Sequence, residues 1–405
     1  MNTKDLFITN NIQNRYFKKK VLKKYSEDFQ HIISKANLET RSPKKTFNIL
    51  DKNFKLNFSI KDLKKFRKFK TIVLIGMGGS ILGAEAIYNF FQAKIKKKVY
   101  FLDNLDETKI TNIKKNENLS KILFIIISKS GNTIETVSNT FLLDIIKKNS
   151  KNIIIITERK NNLLFSLSKK FNLFYVEHKD YIGGRYSVLS EVGLLPGYLM
   201  NIDIVKLRSK IQIYSSQKEK LFIKNSTTKI ASILASKKVN NLIFINYVPE
   251  LEKFLFWCQQ LIAESLGKKN NGFLPMVSTA PKDHHSLLQL YLDGPKDKLF
   301  NIFSFEKNSK EKINIKKNNG INIFLNKKKL STVKLAQKQA LIKALIRNNI
   351  PFREFKIKAI NEIVLGKLFS IFITETIIIV KLLKINPFDQ PAVEQVKVDT
   401  KKLLS

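Results

Sequence analysis

The sequence contains almost no cysteine, since Cys258 is the only one among 405 residues. It cannot form an internal disulfide, and it lies in the apolar run at residues 254–258, where a buried, unreactive thiol is expected. This composition is typical of a reducing compartment, so we expect the protein to be cytoplasmic. The sequence also lacks the spacing of His, Cys and Asp that is typical of metal ligands, which argues against a metal site.

Long apolar runs are missing as well. The first residues include the charged Asp5 and contain no apolar core of signal-peptide length. The apolar stretch at 371–380 contains Glu375 and is flanked by Lys367 and Lys381, so it is too short to cross a bilayer. Neither a secretory signal nor a membrane span is therefore expected.

Acidic residues are scarce, with 33 Asp and Glu against 73 Lys and Arg, which gives a formal charge of +40. Such a charge normally indicates nucleic acid or an anionic membrane as a partner. However, Lys, Asn, Ile and Phe all have A/T-rich codons, and the lysines are spread along the chain, which favours a compositional bias. Helix-turn-helix, zinc-finger and aromatic RNA-binding signatures are absent from the sequence. We expect no specific nucleic-acid or membrane partner, whereas so basic a surface should attract phosphorylated small molecules.

The sequence does contain a regular alternation of strand and helix patterns, which predicts an α/β protein whose parallel sheets are covered on both faces. Strands are predicted at 71–75, 99–102, 122–127, 152–157, 173–176, 242–246, 274–278, 299–305, 321–325 and 352–357. Helices are predicted at 81–91, 133–147, 254–265, 331–348 and 361–383, with a polar helical connector at 202–238. The predicted organisation is an N-terminal arm of helix and turn at 1–60, a first domain at 61–200, a second at 201–385 and a C-terminal tail at 386–405.

The strand predicted at 122–127 leads into a turn rich in hydroxyl groups. Ser128, Ser130, Thr133 and Thr136 lie around this turn, just before a helical pattern. A helix N-terminus presents unpaired N–H groups and the positive end of a dipole, so four hydroxyl groups could converge there on one phosphate. Capping of the helix is an equally good interpretation of such a turn, although four hydroxyls exceed what a cap requires.

Two glycine-rich turns are candidates for a close approach of the backbone to a ligand. The first, at 76–83, resembles a dinucleotide fingerprint, but Ile81 stands where the third glycine is required. Ser80 in this turn could cap a helix or touch a sugar hydroxyl. The second, at 183–187, places two glycines before Arg185, so it could fix a permanent cation at one point or simply be a turn with a surface arginine.

Three further patterns carry polar side chains that could be functional. Gln260 and Glu264 lie four residues apart in a predicted helix and share a face, although most glutamates at helix ends are solvated. His284 and His285 lie in a polar turn, where one histidine of such a pair is usually only exposed. The tail at 388–397 combines Gln, Glu and Lys, and could equally be a solvated amphipathic helix.

Together and in this order, these motifs resemble those of the glucose-6-phosphate isomerase (phosphoglucose isomerase) family, from about residue 71 to 397. The most specific parts are the loop Gly78-Gly79-Ser80, the segment 128–136, the segment 183–187, Gln260-x-x-x-Glu264-Ser265-x-Gly267-Lys268, His285 ahead of Gln289, and the tail at 388–397. The resemblance implies two sugar-isomerase (SIS) domains, each a parallel sheet sandwiched between helices, in a homodimer that needs no cofactor. The chain departs from the family in being shorter than many members, with a reduced N-terminal arm.

The resemblance also implies roles for individual residues in isomerising glucose 6-phosphate and fructose 6-phosphate, a step of glycolysis and gluconeogenesis. Glu264 would be the base that moves a proton between C2 and C1 through a cis-enediol, and Arg185 would stabilise the enediolate oxygens. His285, supplied by the neighbouring subunit, and Lys397 would assist ring opening. The implied substrate-binding residues are Ser80, Ser128, Lys129, Ser130, Thr133, Thr136, Gly184, Gln260 and Gln390.

Two alternatives remain open at the level of sequence. A dual phosphoglucose/phosphomannose isomerase would use the same base, and the sequence does not separate it from the single-substrate enzyme. A non-catalytic sugar-phosphate sensor of the SIS type would need the hydroxyl turn but would have no use for Glu264, Arg185, His285 and Lys397 together.

Overall fold

The computed structural model describes residues 5–306, 309–314 and 324–404. Its strands are β1 (Leu6–Asn11), β2 (Thr71–Ile75), β3 (Lys98–Leu102), β4 (Ile122–Ile127), β5 (Ile153–Thr157), β6 (Phe174–Glu177), β7 (Asn241–Asn246), β8 (Leu274–Thr279), β9 (Lys298–Phe305) and β10 (Phe352–Ile357). Its α-helices are α1 (Lys19–Arg41), α2 (Ile60–Leu63), α3 (Leu82–Phe91), α4 (Glu107–Asn116), α5 (Ile134–Leu142), α6 (Leu163–Lys170), α7 (Glu191–Leu199), α8 (Ile204–Arg208), α9 (Gln217–Ser236), α10 (Glu252–Leu266), α11 (Leu288–Leu292), α12 (Leu330–Arg347), α13 (Glu362–Leu382) and α14 (Glu394–Leu404).

The first sheet has the order β3-β2-β4-β5-β6, and all its pairings are parallel. All six residues of β4 are buried, and their side chains alternate between two apolar clusters. Leu123 and Ile125 belong to the larger cluster, whereas Phe124 and Ile126 belong to the smaller one on the other face. A run of apolar, β-branched residues forms such a strand because both of its faces are covered by helices.

The second sheet has the order β1-β10-β9-β7-β8. The strands from β7 to β10 pair in parallel, while β1 pairs antiparallel to β10 at the edge, with Leu6 opposite Ile357. The sequence predicts only helix and turn for residues 1–60 and therefore misses β1. A strand of six residues at a sheet edge is formed mainly by its distant partner, so it leaves only a weak local signal.

Helix α10 packs against both α3 and α13, and residues of these three helices form one large apolar core together with residues of both sheets. The longest of the three, α13, is 89% buried within its most apolar window, which is typical of the core helix of a globular protein. Among the described residues it alone is long and apolar enough to span a membrane.

The predicted α/β class is confirmed, and nine of the ten predicted strands agree with the structure to within one residue. The helix predicted at 133–147 is too long, because α5 ends at Leu142 and Asp144 adopts a left-handed conformation with φ of 52°. Of the strand predicted at 321–325, residues 321–323 lie outside the described part of the chain. The prediction is wrong for residues 324 and 325, which belong to a turn.

Candidate active site

Hydroxyl groups gather at the turn between β4 and α5, as the sequence predicts. Oγ of Ser128 lies 2.9 Å from Oγ1 of Thr133, and Oγ of Ser130 lies 3.5 Å from the same atom. The N–H of Gly131 donates to Ser128 Oγ at 3.1 Å, and its φ of +69° is one that favours glycine. The turn thus presents three hydroxyls at the start of a helix, where the dipole favours an anion.

Capping does not explain this group of hydroxyls. Thr133 is the N-cap residue of α5, yet its side chain accepts no hydrogen bond from the helix backbone. Thr136 is buried, as Ser128 is, but its Oγ1 differs in having no hydrogen-bond partner within residues 5–306, 309–314 and 324–404. The capping interpretation therefore fails for Thr133. Of the four hydroxyl residues, Ser130 is exposed and Thr133 is half-buried, whereas Ser128 and Thr136 are buried.

The two glycine turns pack directly against each other. Gly78–Ser80 forms a single 3-10 turn after β2, and a Cβ atom on Gly79 would lie only 2.2 Å from the carbonyl carbon of Gly184. A Cβ atom on Gly78 would lie 2.6 Å from Nε2 of Gln260 on α10. The close backbone approach that the sequence predicts is therefore present, but it is an approach of the chain to itself that fixes Arg185 beside α10.

Arg185 and Glu264 form an ion pair although they are 79 residues apart. Nη1 of Arg185 lies 3.1 Å from Oε2 of Glu264, and Nε2 of Gln260 donates to the other carboxylate oxygen at 2.8 Å. The arginine side chain is only 4% exposed, whereas 32% of the glutamate side chain is exposed. The carboxylate is thus oriented by two donors and still reaches solvent.

Arg185 is held by three further acceptors besides Glu264. Its Nε donates to Oγ of Ser265 at 2.9 Å, and its Nη2 donates to the carbonyl oxygens of Pro387 and Asp389 at 2.6 and 3.1 Å. A guanidinium with so many directed hydrogen bonds has one orientation. The site therefore combines a fixed cation with a partly exposed carboxylate.

The open side of Glu264 faces a cleft of about 760 Å³. Gln390, at the start of the C-terminal tail, lines the same cleft, as do Lys268 and Asp389. The structure thus brings together Glu264 and Gln390 from segments that are distant in sequence.

Comparison with known proteins decides the family of the chain. The family model for phosphoglucose isomerase matches residues 55–405. The chain belongs to the phosphoglucose isomerase family. It is similar to the glucose-6-phosphate isomerase of Methanocaldococcus jannaschii, with 34% identity over 345 residues that cover 82% of this chain and 84% of that protein. It is also similar to that of Mycoplasmopsis pulmonis, with 30% identity over 421 residues, or 97% and 98% of the two chains.

Two solved structures share the fold of this phosphoglucose isomerase family member. A glucose-6-phosphate isomerase from Chlamydia trachomatis superimposes with a TM-score of 0.71 and 20% identity, over 84% of this chain and 71% of that one. A protein from Thermus thermophilus superimposes with a TM-score of 0.82 and 23% identity, over 98% and 100% of the two chains. These likenesses agree with the predicted fold of two SIS-type domains.

Two residues that the family resemblance assigns to catalysis make no direct contact with Glu264 in the part of the chain that the structure describes. His285 is exposed on the turn Lys282–His285, while its neighbour His284 accepts or donates a hydrogen bond of 2.9 Å with the hydroxyl of Tyr247. Lys397 lies on α14, where it pairs with Glu394 at 2.7 Å and no residue of the helix is buried. Among the described residues, no hydrogen bond or ion pair joins either side chain to Glu264, so their roles stay predictions.

Lys129, also predicted to bind substrate, is directed away from the hydroxyls beside it. Its Nζ donates to the carbonyl oxygen of Asp180 at 2.7 Å and lies 3.5 Å from Oε1 of Glu158. Burial lowers the pKa of this lysine. Its ammonium therefore supports the loop after β6 in this structure.

Sequence reasoning missed three residues of this phosphoglucose isomerase site. Tyr186, Ser265 and Lys268 all lie within the motifs that suggested the family, but no role was predicted for them. Ser265 and Tyr186 contact Arg185 or its acceptors, and Lys268 binds the tail. The only available signal was their position in the sequence: Tyr186 follows Arg185, Ser265 follows Glu264, and Lys268 lies four residues after Glu264.

Proposed function

We propose that this chain catalyses the reversible isomerisation of glucose 6-phosphate and fructose 6-phosphate through a cis-enediol, with Glu264 as the base. The observation that carries the proposal is the pair formed by Arg185 and Glu264 at the edge of an open cleft, in a chain of the phosphoglucose isomerase family. Glycolysis and gluconeogenesis are the pathways to which this reaction belongs.

Glu264 is suited to shuttle one proton between neighbouring carbon atoms. In the open-chain aldose it would remove the proton from C2, and after the electrons have shifted it would return that proton to C1 on the same face. Such proton transfer by a positioned carboxylate typically contributes about 10²- to 10⁴-fold to the rate. The hydrogen bond from Gln260 at 2.8 Å orients the carboxylate for both steps.

Arg185 would stabilise the negative charge that develops on the oxygens of the enediol. Because its guanidinium is already held by four acceptors, it needs no reorganisation when that charge appears. A buried cation also acts more strongly there than it would in water. Arg185 would therefore bind the transition state better than the substrate.

The hydroxyls at the start of α5 would hold the phosphate of the sugar. Ser128, Ser130 and Thr133 can donate to phosphate oxygens, and the helix dipole adds a favourable field. The other predicted substrate contacts are those of Ser80, Lys129, Thr136 and Gly184. In this structure Thr136 is buried and Lys129 donates to the carbonyl oxygen of Asp180. Gln260 and Gln390 would orient the sugar.

Ring opening would depend on His285 and Lys397. His285 is exposed on its turn, which is consistent with a homodimer in which each subunit supplies this histidine to the other. We place the first SIS domain at 61–200, the second at 201–385 and the enzyme in the cytoplasm, where the single cysteine stays reduced.

The test is conversion of fructose 6-phosphate to glucose 6-phosphate by the purified protein after treatment with a chelator, with Glu264→Gln as the matched variant. Activity in the parent and its loss in the variant, with sugar-phosphate binding retained, support the proposal. A parent that binds glucose 6-phosphate but does not convert it would instead be a sensor.

A further inference from the structure

Lys268 fastens the beginning of the C-terminal tail to the end of α10. Its Nζ donates to the carbonyl oxygen of Asn386 at 2.6 Å and to Oδ1 of Asp389 at 2.7 Å. Only 11% of the lysine side chain is exposed, although Asp389 itself is half exposed. The hydrogen bond from Lys268 lowers the pKa of Asp389, so the aspartate is ionised when it makes this contact. We call the segment 386–389 the strap.

The strap is internally ordered as well. Nδ2 of Asn386 donates to Oδ2 of Asp389 at 3.0 Å, and the N–H of Phe388 donates to Oδ1 of Asn386 at 3.0 Å. Lys268 therefore binds a short loop that is already closed by its own side chains. The hydrogen bonds that hold Asn386 and Asp389 in place also hold the peptide groups between them.

Those peptide groups are the ones that orient Arg185. Nη2 of Arg185 donates to the carbonyl oxygens of Pro387 and Asp389, and this leaves Nη1 to face Glu264. Two of the four acceptors of the guanidinium thus belong to the strap. If the strap moves, Nη2 loses both of its acceptors at once.

Tyr186 supports the same arrangement from the other side. Its buried hydroxyl donates to the carbonyl oxygen of Pro387 at 2.9 Å and lies 2.7 Å from Oγ of Ser265, which also accepts from Nε of Arg185. Burial raises the pKa of Tyr186, so the phenol remains a proton donor. The strap, Arg185 and Ser265 are therefore linked in one closed set of hydrogen bonds.

We propose that Lys268 is a positioning residue of the isomerase site, which holds the strap so that Arg185 keeps one orientation toward Glu264. This inference rests on the proposed function of Arg185. It also concerns Gln390, because this residue follows the strap directly and lines the same cleft as Glu264. Lys268 acts through other residues, so its loss should lower turnover more than it weakens substrate binding.

The experiment compares Lys268→Met, Lys268→Arg and a matched control. The control is Lys338→Met, which also removes a buried lysine that is paired with a carboxylate. Nζ of Lys338, on α12, lies 2.7 Å from the carboxylate of Glu354 on β10 of the second sheet. For each variant, kcat and KM for fructose 6-phosphate and the thermal midpoint of unfolding are measured. Small misplacements of a catalytic group cost up to about 100-fold, so we expect kcat of Lys268→Met to fall about 10- to 100-fold.

The expected pattern distinguishes positioning from stability. KM of Lys268→Met should change less than kcat, and Lys268→Arg should recover most of the turnover, because it restores a cation beside Asp389. Lys338→Met should lower the unfolding midpoint and leave kcat unchanged. Equal kcat in Lys268→Met and the parent, or equal losses in Lys268→Met and Lys338→Met, would overturn the inference. A parent enzyme without isomerase activity would instead overturn the proposed function.

Discussion

Removal of the Arg185 side chain tests the site most directly. We predict that Arg185→Ala lowers kcat for fructose 6-phosphate by about 100- to 1000-fold, because loss of one fixed donor to a developing oxyanion typically costs about 2.7–4 kcal/mol. KM should change less, since the hydroxyls at the start of α5 lie on another loop and would still hold the phosphate.

The same substitution should cost little stability, and the contacts of Arg185 show why. The hydroxyl of Tyr186 stays within hydrogen-bond distance of both Ser265 and the carbonyl oxygen of Pro387, so neither buried group loses all its partners. Glu264 is partly exposed, and water can replace the lost donor there. The space left behind is lined by polar atoms and can hold water. We expect the free energy of unfolding to fall by only about 1–2 kcal/mol.

The assay couples formation of glucose 6-phosphate to its oxidation by an added dehydrogenase, while urea unfolding measures stability in parallel. Arg185→Lys serves as the companion variant, because it keeps the charge but loses the fork that reaches several acceptors. It should fall between the parent and Arg185→Ala. A kcat of Arg185→Ala within about threefold of the parent, which corresponds to less than 1 kcal/mol, would refute the role of Arg185.

Three further predictions follow from the same geometry. Glu264→Gln should lower kcat at least about 100-fold while calorimetric binding of glucose 6-phosphate persists, and normal turnover would exclude Glu264 as the base. Gly79→Ala should lower the free energy of unfolding by about 1–3 kcal/mol or more and reduce activity, because the added Cβ would meet main-chain atoms at 2.2 Å. Gly197→Ala is the control and should be tolerated, because its Cβ would have no neighbour closer than 3.7 Å. Equal denaturation midpoints for the two variants would contradict this prediction. Burial lowers the pKa of His178 from 6.5 to about 4, so the unfolded chain binds the proton more readily than the folded one. The free energy of unfolding should therefore fall by about 3 kcal/mol as the pH drops from 6.5 to about 4. If His178→Gln unfolds with the same pH profile as the parent, this assignment is refuted.

The local signals of this chain predicted most of its fold. The strand β4 and the turn after it were found because a buried, β-branched run followed by hydroxyls has few alternative structures. The strand β1 was missed because its hydrogen bonds go to β10, far along the chain, and six residues carry little pattern of their own. The end of α5 depends on one left-handed residue, Asp144, which an apolar pattern does not indicate.

The site was predictable only in pieces. Periodicity placed Gln260 and Glu264 on one helix face, but nothing in the sequence alone shows that Arg185 reaches that face. The resemblance to the family connected Arg185 with Glu264, because the roles that it implies for the two residues require both side chains at one site. Lys268 and Tyr186 received no role, since a lysine bound to a carbonyl oxygen and a buried tyrosine leave no characteristic spacing in a sequence.

The pairing of β1 with β10 has a consequence for how the polypeptide is made. Strand β1 leaves the ribosome early, but its partner β10 ends at Ile357. β1 therefore has no partner strand until the chain between them has been synthesised. The first sheet, whose strands all lie between Thr71 and Glu177, can fold during that time. Closure of the second sheet is thus a late event in biogenesis.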